Sequence, residues 1–513
     1  MQRPLICMSL TGSSLEEDVK LTKKYEKYID LVELRVDYLS SEEQLNVRKF
    51  PTMVSKPCIL TIRREIDGGK FTGSDFSRTI LFARALSFAN TDKSKNFAYV
   101  DFEEYFNIPS IQDAAQAFGV KIIRSCHNMT GPVTNIKEKF EQMHKTGYEI
   151  PKIAFMPNSV ADVENLFREA SRIKDFDYIL CAMGVEGFPS RVLSAFSNSY
   201  LTFVSPQEVI SHTKFLGHTD PVSLQEIYNF NSVTRATQLF GITAWPAIDY
   251  TVVELQNKFL RSKNLNAVYI PLISSVVSEA LSFADYLGIK GLSVDSPYKE
   301  AIMYYLQEQS PDVTEIRSCN TIIKKNNKWI GYNTDIYGFK KSLIEFLDGK
   351  RLKWKKVAII GAGGAAKAAA YVLKQMGARV CVFNRTLEHA KLIAEKYGFK
   401  YCQLDASCTP ILNDYTEVII QTTSIGMNSD GTISKKNDPL YFYEFTGKEM
   451  LFDFVYNPDI TPIMKRASLA GCKVCNGYKM LEYQSQMQFE LFQGHSLENV
   501  KNHITINKNR GKK

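Results

Sequence analysis

Val357-Ala-Ile-Ile-Gly-Ala-Gly-Gly-Ala-Ala366 is the stretch that decides the fold of the second half of this chain. Its apolar run leads into a glycine turn, a helical pattern then covers Lys367 to Met376, and a second apolar run covers Arg379 to Phe383. A strand, a glycine turn, a helix and a strand in this order are typical of the βαβ unit that binds dinucleotides. The second half is therefore predicted to contain a Rossmann domain.

The glycine turn has residues suited to pyrophosphate binding. Gly361 permits the tight turn, Gly363 lets the backbone approach the pyrophosphate, and Ala366 keeps the helix close to the strand. Free amides at the helix N-terminus then face the phosphates. We expect cofactor contacts from Gly361, Ala362, Gly363, Gly364 and Ala365.

Asn384, Arg385 and Thr386 follow the second strand of this unit. An NAD-preferring site carries an acidic residue there, which binds the ribose hydroxyls. A guanidinium with hydrogen-bonding neighbours suits a ribose 2'-phosphate instead. The sequence therefore favours NADP(H) over NAD as the cofactor.

The first part of the chain repeats short apolar runs separated by charged, helical stretches. The eight runs are Leu5–Leu10, Leu31–Val36, Cys58–Ile62, Phe97–Phe102, Val120–Ser125, Lys152–Met156, Tyr178–Ala182 and Tyr200–Val204. This alternation is the pattern of parallel strands joined by helices, and its count matches a (β/α)8 barrel. The predicted fold class is thus α/β, with an N-terminal TIM barrel followed by a two-subdomain dehydrogenase that ends in a Rossmann domain.

Ionisable residues cluster where the barrel strands end, which is the active face of such a barrel. They are Glu33, Arg35, Asp37, Arg63, His127 and Lys152. Lys152 lies in an almost wholly apolar strand, where burial favours a neutral amine that can form a Schiff base with a ketone. His127 can remove the neighbouring proton, and Arg191 can bind a substrate carboxylate.

Four strings of the first half resemble type I 3-dehydroquinate dehydratase in order and spacing. They are Glu33-Leu-Arg-Val-Asp37, Ser125-Cys-His127, Pro151-Lys-Ile-Ala154 and Ser190-Arg191. The resemblance implies that Lys152 forms the imine with 3-dehydroquinate, that His127 is general base and then acid, and that Glu33 helps to orient it. It also implies substrate contacts from Arg35, Arg63, Asp67, Arg191 and His218.

The second half resembles shikimate dehydrogenase. Beside the nucleotide unit, the strings are Pro297-Tyr-Lys299, Asn320-Thr-Ile322, Gly331-Tyr-Asn-Thr-Asp335, Thr423-Ser-Ile-Gly-Met427, Asp453-Phe-Val-Tyr-Asn-Pro458 and Gly477-Tyr-Lys-Met-Leu481. The resemblance implies that Lys299 and Asp335 are the acid/base pair for reduction of 3-dehydroshikimate by NADPH. It further implies substrate contacts from Asn320, Tyr456 and Gln484, and cofactor contacts from Thr423 and Gly477. The two resemblances follow the order of the fused enzymes of the shikimate pathway.

The barrel half departs from the family pattern at two places. Asp67 stands where a glutamate is usual, and Lys214-Phe-Leu-Gly-His218 replaces the usual Ser-Ala-Pro-Gly-Gln lid. Lys214 can add a cation, and His218 can still donate a hydrogen bond from the position of the glutamine. We expect the dehydratase chemistry to persist with altered affinity.

The dehydrogenase half departs further from the family pattern, at the place where two serines of the family bind the shikimate carboxylate. Tyr250 and Val252 occupy those positions, and Asp295 replaces a threonine, while Tyr456 alone matches the expected carboxylate neighbours. A carboxylate facing Asp295 would be repelled. This half is predicted to bind shikimate by another route, to reduce a polyhydroxy ketone without the carboxylate, or to bind NADP as a regulatory domain.

One further alternative remains for the whole chain, a Schiff-base aldolase joined to an unrelated NADP reductase. Ser190 and Arg191 argue against it, because they suit the dehydratase and have no special reason to occur in an aldolase.

The 513 residues suggest roughly two to four domains. The predicted ranges are 1–232 for the barrel, 237–340 for the substrate subdomain, 341–500 for the Rossmann subdomain and 501–513 for a basic tail. This tail carries five of the charges behind the formal net charge of +8, so no nucleic-acid partner is predicted. The sequence also predicts reduced thiols, no metal, no membrane span and a cytoplasmic location, and it leaves the oligomeric state open.

Overall fold

The computed structural model describes residues 3–87, 90–210, 216–427, 432 and 434–495. The chain forms two compact units, one of Met1–Ile248 with Leu260–Ile289 and the other of Asp249–Phe259 with Lys290–Lys513. The domain ranges drawn from the sequence remain a prediction, and the predicted basic tail lies outside the described residues.

Eight parallel strands form the barrel of the first unit. They are β1 Leu5–Leu10, β2 Leu31–Arg35, β3 Cys58–Thr61, β4 Tyr99–Glu103, β5 Lys121–Asn128, β6 Glu149–Phe155, β7 Ile179–Ala182 and β8 Leu201–Val204. Neighbouring strands pair in the order β7-β6-β5-β4-β3-β2-β1-β8, and a parallel bridge between Tyr178 and Ser199 joins the two ends. The predicted TIM barrel is confirmed.

Helices surround these strands and alternate with them along the chain. They are α1 Leu15–Tyr25, α2 Ser41–Gln44, α3 Phe50–Met53, α4 Asp75–Leu86, α5 Pro109–Ala117, α6 Ile136–Met143, α7 Val160–Ala170, α8 Pro189–Val192, α9 Ser194–Ser197 and α10 Pro221–Glu226. Short 3-10 helices cover Glu26–Tyr28, Val36–Tyr38, Val47–Lys49, Glu65–Asp67, Lys93–Lys95, Gln207–Val209 and Phe230–Ser232.

The barrel interior is built in layers, because side chains two residues apart on a strand point the same way. One layer is apolar and includes Cys7, Leu31, Ile59, Tyr99, Ile123, Ile150, Ile179 and Leu201. Two residues further along the same strands lie Ser9, Glu33, Thr61, Asp101, Ser125, Lys152, Cys181 and Phe203. The apolar layer thus closes the barrel below a polar layer near the carboxyl ends of its strands.

The first unit also contains the parallel strands β9 Gln238–Ala244 and β10 Ala267–Ile273. A helix from this part, Val277–Leu287, packs on α7 of the barrel. Phe167 meets Phe283 edge to face at 5.5 Å, and the guanidinium of Arg168 lies 4.3 Å from the ring of Tyr286. These contacts fix the helix on the outside of the barrel.

The helices from this point onward are α11 Tyr250–Ser262, α12 Val277–Leu287, α13 Tyr298–Ala301, α14 Pro311–Ile316, α15 Asp335–Phe346, α16 Gly364–Gln375, α17 Leu387–Tyr397, α18 Thr409–Asn413, α19 Pro462–Leu469 and α20 Tyr478–Phe492. Two more 3-10 helices cover Ile302–Tyr305 and Ala406–Cys408. In the second unit, β11 Gly291–Val294, β12 Glu308–Gln309, β13 Thr321–Lys325 and β14 Lys328–Tyr332 pair in both directions and make a mixed sheet.

The second sheet of this unit is wholly parallel. Its strands are β15 Lys356–Ile360, β16 Arg379–Asn384, β17 Lys400–Gln403, β18 Val418–Gln421, β19 Met450–Asp453 and β20 Lys473–Cys475. Their order β17-β16-β15-β18-β19-β20 is that of the Rossmann fold, whose ligand site lies where the order reverses, beside β15. The predicted Rossmann domain is confirmed. Helix α16 begins at Gly364, three residues before the predicted start at Lys367, so Gly364 to Ala366 form its first turn.

All ten cysteines are free thiols, including Cys472, which precedes the short strand β20, and Cys475, which ends it. In the described part of the chain, no group of three or more histidine, cysteine or acidic side chains is arranged to hold a metal ion. None of the helices in the described ranges has the length and apolar character that a membrane crossing requires.

Candidate active sites

Lys152 is buried on β6 among charged neighbours. Its Nζ lies 3.0 Å from Oδ2 of Asp101 and 3.7 Å from Oε1 of Glu33. Ser9 and Thr61 donate hydrogen bonds of 2.7 and 3.0 Å to Glu33 and hold that carboxylate in place. The predicted apolar setting of the amine is therefore wrong, because carboxylates from other strands reach it across the barrel. These carboxylates stabilise a positive charge on Nζ, whether ammonium or iminium.

Asp101 and Glu103 lie two residues apart on β4 and pair with guanidinium groups. Arg63 donates to Asp101 at 2.8 Å and to Glu103 at 2.7 Å, and Arg78 donates to the other oxygen of Glu103. Burial favours protonation of Asp101, but Arg63 and Lys152 outweigh it and hold the pKa of this carboxyl below its usual range. Asp101 is thus a fixed negative charge beside Lys152.

His127 lies near the end of β5 and beside the same network. Burial, followed by the positive charges of Arg63 and Lys152, lowers the pKa of His127 well below its ordinary value. Its Nδ1 is buried without a hydrogen-bond partner in the described part of the chain. The imidazole is therefore neutral at neutral pH and able to accept a proton.

Arg191 in α8 is only 2% exposed. Its Nη2 donates to the carbonyl of Leu216 at 2.8 Å, whereas Nε and Nη1 are buried and find no partner among the described residues. Leaving buried donors unpaired costs free energy. Two such donors on one guanidinium suit a ligand carboxylate that accepts from both.

One cavity at the carboxyl ends of the strands joins these groups. It is lined by Ser9, Glu33, Arg35, Arg63, Asp67, Gly68, His127, Met129, Lys152, Ala154, Cys181, Met183, Arg191, Phe203, Leu216 and His218. All eight site residues predicted for the barrel are among them. Lys214, which the sequence suggested as an additional cation, lies outside the described residues.

The remaining predicted residues of this cavity are held by protein partners. Arg35 donates two hydrogen bonds to Asp37, at 3.0 and 2.8 Å. Asp67 accepts from the hydroxyl of Tyr105. The hydroxyl of Ser205 lies 2.5 Å from Nδ1 of His218. Burial, followed by nearby arginines, lowers the pKa of His218 well below its ordinary value, so this second ring is also neutral.

The second unit holds its own pair of acid/base groups. Nζ of Lys299 lies 3.0 Å from Asp335 and 3.3 Å from Asp295. Burial lowers the pKa of Lys299, but the two carboxylates outweigh burial and raise that pKa above its ordinary value. Asn320 donates to the other oxygen of Asp335 at 2.7 Å and to Thr334 at 2.9 Å. Both amide hydrogens of Asn320 are therefore used within the protein.

Tyr456 has its hydroxyl turned to another side chain. It donates to Asp249, whose other oxygen accepts from the backbone amide of Thr251 at 2.8 Å. Val252 is buried, and Tyr250 is exposed. The hydroxyl that the sequence suggested for a substrate carboxylate is thus already bonded to a carboxylate of the protein.

The nucleotide turn brings Lys299 next to the start of helix α16. Gly361 has a φ of +109°, and a Cβ built on it would lie 2.7 Å from the hydroxyl of Thr422. At Gly363 a Cβ would meet nothing within 4 Å, so the backbone there faces open space. A Cβ on Gly364 would lie 3.6 Å from Cδ of Lys299. The turn therefore leaves room for a pyrophosphate within reach of the lysine side chain.

Arg385 is exposed after β16 and makes no hydrogen bond or ion pair with the described residues. Asn384 donates to the backbone carbonyl of Thr386 at 2.9 Å, which shapes the loop around the guanidinium.

Gly477 lies so close to another backbone segment that no larger residue fits, because a Cβ there would lie 2.0 Å from the carbonyl of Phe454. Its predicted contact with the cofactor remains a prediction.

Three family models match successive parts of the chain. Type I 3-dehydroquinase covers residues 6–235, the shikimate dehydrogenase substrate binding domain covers 251–322, and shikimate/quinate 5-dehydrogenase covers 345–463. The chloroplastic bifunctional 3-dehydroquinate dehydratase/shikimate dehydrogenase of Arabidopsis thaliana is 31% identical, over 96% of this chain and 82% of its own length. The chain belongs to this bifunctional family.

Two other relatives agree with this assignment. The shikimate biosynthesis protein AroDE of Chlamydia pneumoniae is 26% identical over 95% of each chain. The shikimate dehydrogenase (NADP(+)) of Pyrococcus abyssi is 35% identical, over 50% of this chain and 92% of its own length. The predicted fusion of a dehydratase and a dehydrogenase is confirmed, and the chain combines 3-dehydroquinate dehydratase with shikimate dehydrogenase.

Two features of this bifunctional enzyme were not predicted from its sequence, the acidic pair of β4 and the partner of Tyr456. Asp101 and Glu103 alternate with apolar residues in Tyr99-Val-Asp-Phe-Glu103, a buried strand. Acidic residues at alternate positions of a barrel strand point inward together, and this signal could have found them. Asp249 lies next to one of the two serine positions, but its partner is Tyr456, 207 positions away, so no local pattern indicates this contact.

Proposed function

We propose that Lys152, His127 and Arg191 carry out the dehydratase reaction and that Lys299 and Asp335 carry out the reductase reaction with NADPH. The observation that supports the first part is the barrel cavity, which holds a buried amine, a neutral imidazole and a guanidinium with two donors that find no partner among the described residues.

In the barrel, Nζ of Lys152 attacks the ketone of 3-dehydroquinate, and water leaves as the imine forms. The protonated imine draws electrons from the adjacent C–H bond, and His127 takes the proton. The hydroxyl one carbon further leaves as water after it receives a proton from His127. Hydrolysis of the imine then releases 3-dehydroshikimate and frees Lys152. The net change is the loss of one water molecule.

Asp101 and Glu33 stabilise the iminium cation through this sequence, because they already lie within 4 Å of Nζ. Arg191 binds the substrate carboxylate with its two free donors. Arg35 and His218, which line the same cavity, bind the hydroxyl oxygens of the substrate. Asp101 and Glu33 are thus complementary to the iminium, and Arg191 is complementary to the substrate carboxylate.

Trapping with borohydride tests the imine. Full-length protein mixed with 3-dehydroquinate and borohydride should gain the mass of one reduced substrate adduct, and peptide mapping should place it on Lys152. Lys152→Met should gain no mass, whereas Lys139→Met, which removes a lysine that pairs with Glu104, should gain it normally. An adduct-free wild-type protein under conditions of active turnover would rule out the imine.

In the second unit, Lys299 is held as an ammonium by Asp335 and Asp295, so it can give a proton to the ketone oxygen of 3-dehydroshikimate. Asn320 fixes the carboxylate of Asp335 and acts as a positioning residue. The side-chain amide of Gln484 on α20 has no hydrogen bond with described residues and binds a substrate hydroxyl. NADPH, when bound, supplies the hydride for this reduction.

The residues present fit NADP(H). The open backbone at Gly363 and the amides of the first turn of α16 hold the pyrophosphate. Arg385 holds the 2'-phosphate, with Asn384 and Thr386 beside it. Thr423 follows β18 at the reversal of strand order and borders the same site.

Shikimate-dependent reduction of NADP+ tests the second half. Lys299→Met should lower kcat by about 10²- to 10⁴-fold, the usual contribution of one acid/base group. Lys328→Met is the matched control, because that exposed lysine pairs with Glu308. Tight NADP binding without any turnover of shikimate would favour the regulatory alternative over a dehydrogenase.

The small molecules expected to bind are 3-dehydroquinate, 3-dehydroshikimate and shikimate. A cytoplasmic location remains a prediction from the sequence, and localisation of a tagged full-length protein in its own cell tests it.

A further inference from the structure

The charged groups around Lys299 are unusual for a site that receives an anion. Asp335 and Asp295 lie within 3.3 Å of the ammonium, and Asp249 holds the hydroxyl of Tyr456. Within the described ranges, Lys299 is the one cation that pairs with Asp295 and Asp335. One ammonium therefore serves two carboxylates, and the third, Asp249, is bonded to a hydroxyl and has no ion pair with a described residue.

The same groups are near one another, although they come from separate elements. Asp249 precedes α11, Asp295 precedes α13, and Tyr456 follows β19. Burial makes the largest contribution to the raised pKa of Tyr456, and the charges of Asp249 and Asp295 raise this pKa further. Both carboxylates are therefore close to the hydroxyl of Tyr456. Asp249, Asp295 and Tyr456 thus form one electronegative group, which we call the acidic rim.

The acidic rim is accessible from solvent at Asp295, whose side chain is 46% exposed, and Lys299 is 18% exposed. An incoming carboxylate would meet the rim before it met the ammonium, which two carboxylates already neutralise. At a few ångströms from a partly exposed charge, such repulsion weakens the binding of an anion about tenfold. A neutral polyol does not meet this repulsion and can use the same carboxylates as acceptors for its hydroxyls.

We propose that the dehydrogenase half has a further activity, the NADP-linked interconversion of alcohol and ketone in polyhydroxylated six-membered rings that lack a carboxylate, and that it favours them over shikimate. In the oxidation, the alcohol carbon gives one hydrogen with two electrons to NADP+, and the hydroxyl proton passes to the pair of Lys299 and Asp335. The products are the ketone, NADPH and one proton. The inference rests on the proposed role of Lys299 and Asp335 as the acid/base pair.

Asn320 and Gln484 have roles in this site that do not depend on a substrate carboxylate. Asn320 keeps Asp335 in place, and Gln484 has both ends of its amide available for ring hydroxyls. Recognition then depends on hydroxyl groups, which these substrates share with shikimate, and not on a carboxylate. Shikimate remains a substrate with a raised KM.

The test compares shikimate with its methyl ester and with the alcohol made by reducing its carboxylate, which keep the ring hydroxyls and lack the charge. Full-length enzyme and NADP+ should give a kcat/KM about tenfold higher for the two neutral compounds than for shikimate. Raising the ionic strength should lower the KM for shikimate and leave the KM for the ester unchanged, because salt screens exposed charges.

Two charge-neutralising variants localise the effect. Asp295→Asn and Asp249→Asn should each lower the KM for shikimate several-fold, because the repulsion is removed, and neither should lower the KM for the methyl ester, which carries no charge to be repelled. Glu308→Gln is the control, because it removes an exposed carboxylate that pairs with Lys328. Calorimetric binding of shikimate and its ester to the enzyme without cofactor should show the same order of affinity.

A preference for shikimate over both neutral compounds would overturn the inference and leave the proposed function intact. Absence of turnover with all three compounds, while the barrel still dehydrates 3-dehydroquinate, would overturn the proposed function of the second half together with the inference.

Discussion

The barrel cavity and the Lys299 site differ in which charges they leave unsatisfied. In the barrel, Arg191 keeps two buried donors that find no partner among the described residues, and His127 is neutral. At the Lys299 site, Asp295 and Asp335 already pair with the ammonium. The barrel cavity therefore offers hydrogen-bond donors to an anion, whereas the ammonium of Lys299 is already paired with two carboxylates. What a site binds is thus indicated by the charge that the protein leaves unpaired more than by the number of charged residues.

The largest expected effect separates the chemistry of the two sites. Lys152→Met removes the amine and keeps a buried chain of similar length, so dehydratase kcat should fall on the order of 10⁴-fold. NADP-linked oxidation of shikimate should stay within about twofold, because the variant leaves the second unit untouched. Separate steady-state assays check both numbers. Equal losses in both assays would indicate misfolding and would remove the distinction between the sites.

The second largest expected effect concerns binding of the substrate carboxylate in the barrel. Arg191→Lys keeps the charge and removes the two unpaired guanidinium donors, so dehydratase kcat/KM should fall about 100-fold, mainly through KM. Arg235→Lys, which changes a guanidinium that donates to Phe196, should have little effect on the same measurement. If Arg191→Lys left KM unchanged, the unpaired donors would not be the carboxylate site.

The third prediction concerns Arg385, the exposed guanidinium after β16 that has no partner among the described residues. Arg385→Ala should raise the KM for NADP+ about tenfold and leave the KM for NAD+ nearly unchanged, because only NADP+ carries the 2'-phosphate. Arg379→Ala is the control, since that arginine begins the same strand and lies beside the ring of Trp354. An equal rise in KM for both cofactors would show that Arg385 does not bind the 2'-phosphate.

The smallest effect is a difference in pH dependence. Because the pKa of His127 is lowered, its neutral form persists as the pH falls, and dehydratase kcat/KM should change less than about twofold between pH 8 and 6.5. The raised pKa of Lys299 keeps its proton as the pH rises, so reduction of 3-dehydroshikimate should retain its acid group up to at least pH 10. Profiles of kcat/KM for both reactions measure this. A half-maximal dehydratase rate at pH 6.5 would contradict the lowered pKa of His127.

Much of the fold follows from local pattern. The eight apolar runs and the glycine turn predicted both the barrel and the Rossmann domain, because strand burial and turn geometry are properties of short segments. The boundary of α16 was less accurate, since glycine and alanine in its first turn carry no helical periodicity. All eight predicted barrel residues share one cavity, because consecutive barrel strands end on the same face.

By itself, the sequence determined the two folds, the order of the two enzymes and the residue types available to each site. Tertiary structure alone decided how charges pair: Asp101 with Lys152, Asp249 with Tyr456, and Asp295 with Lys299. The physical reason is distance. Electrostatic interactions depend on separations of a few ångströms between groups that are up to 207 positions apart in the chain, and no local pattern encodes such separations.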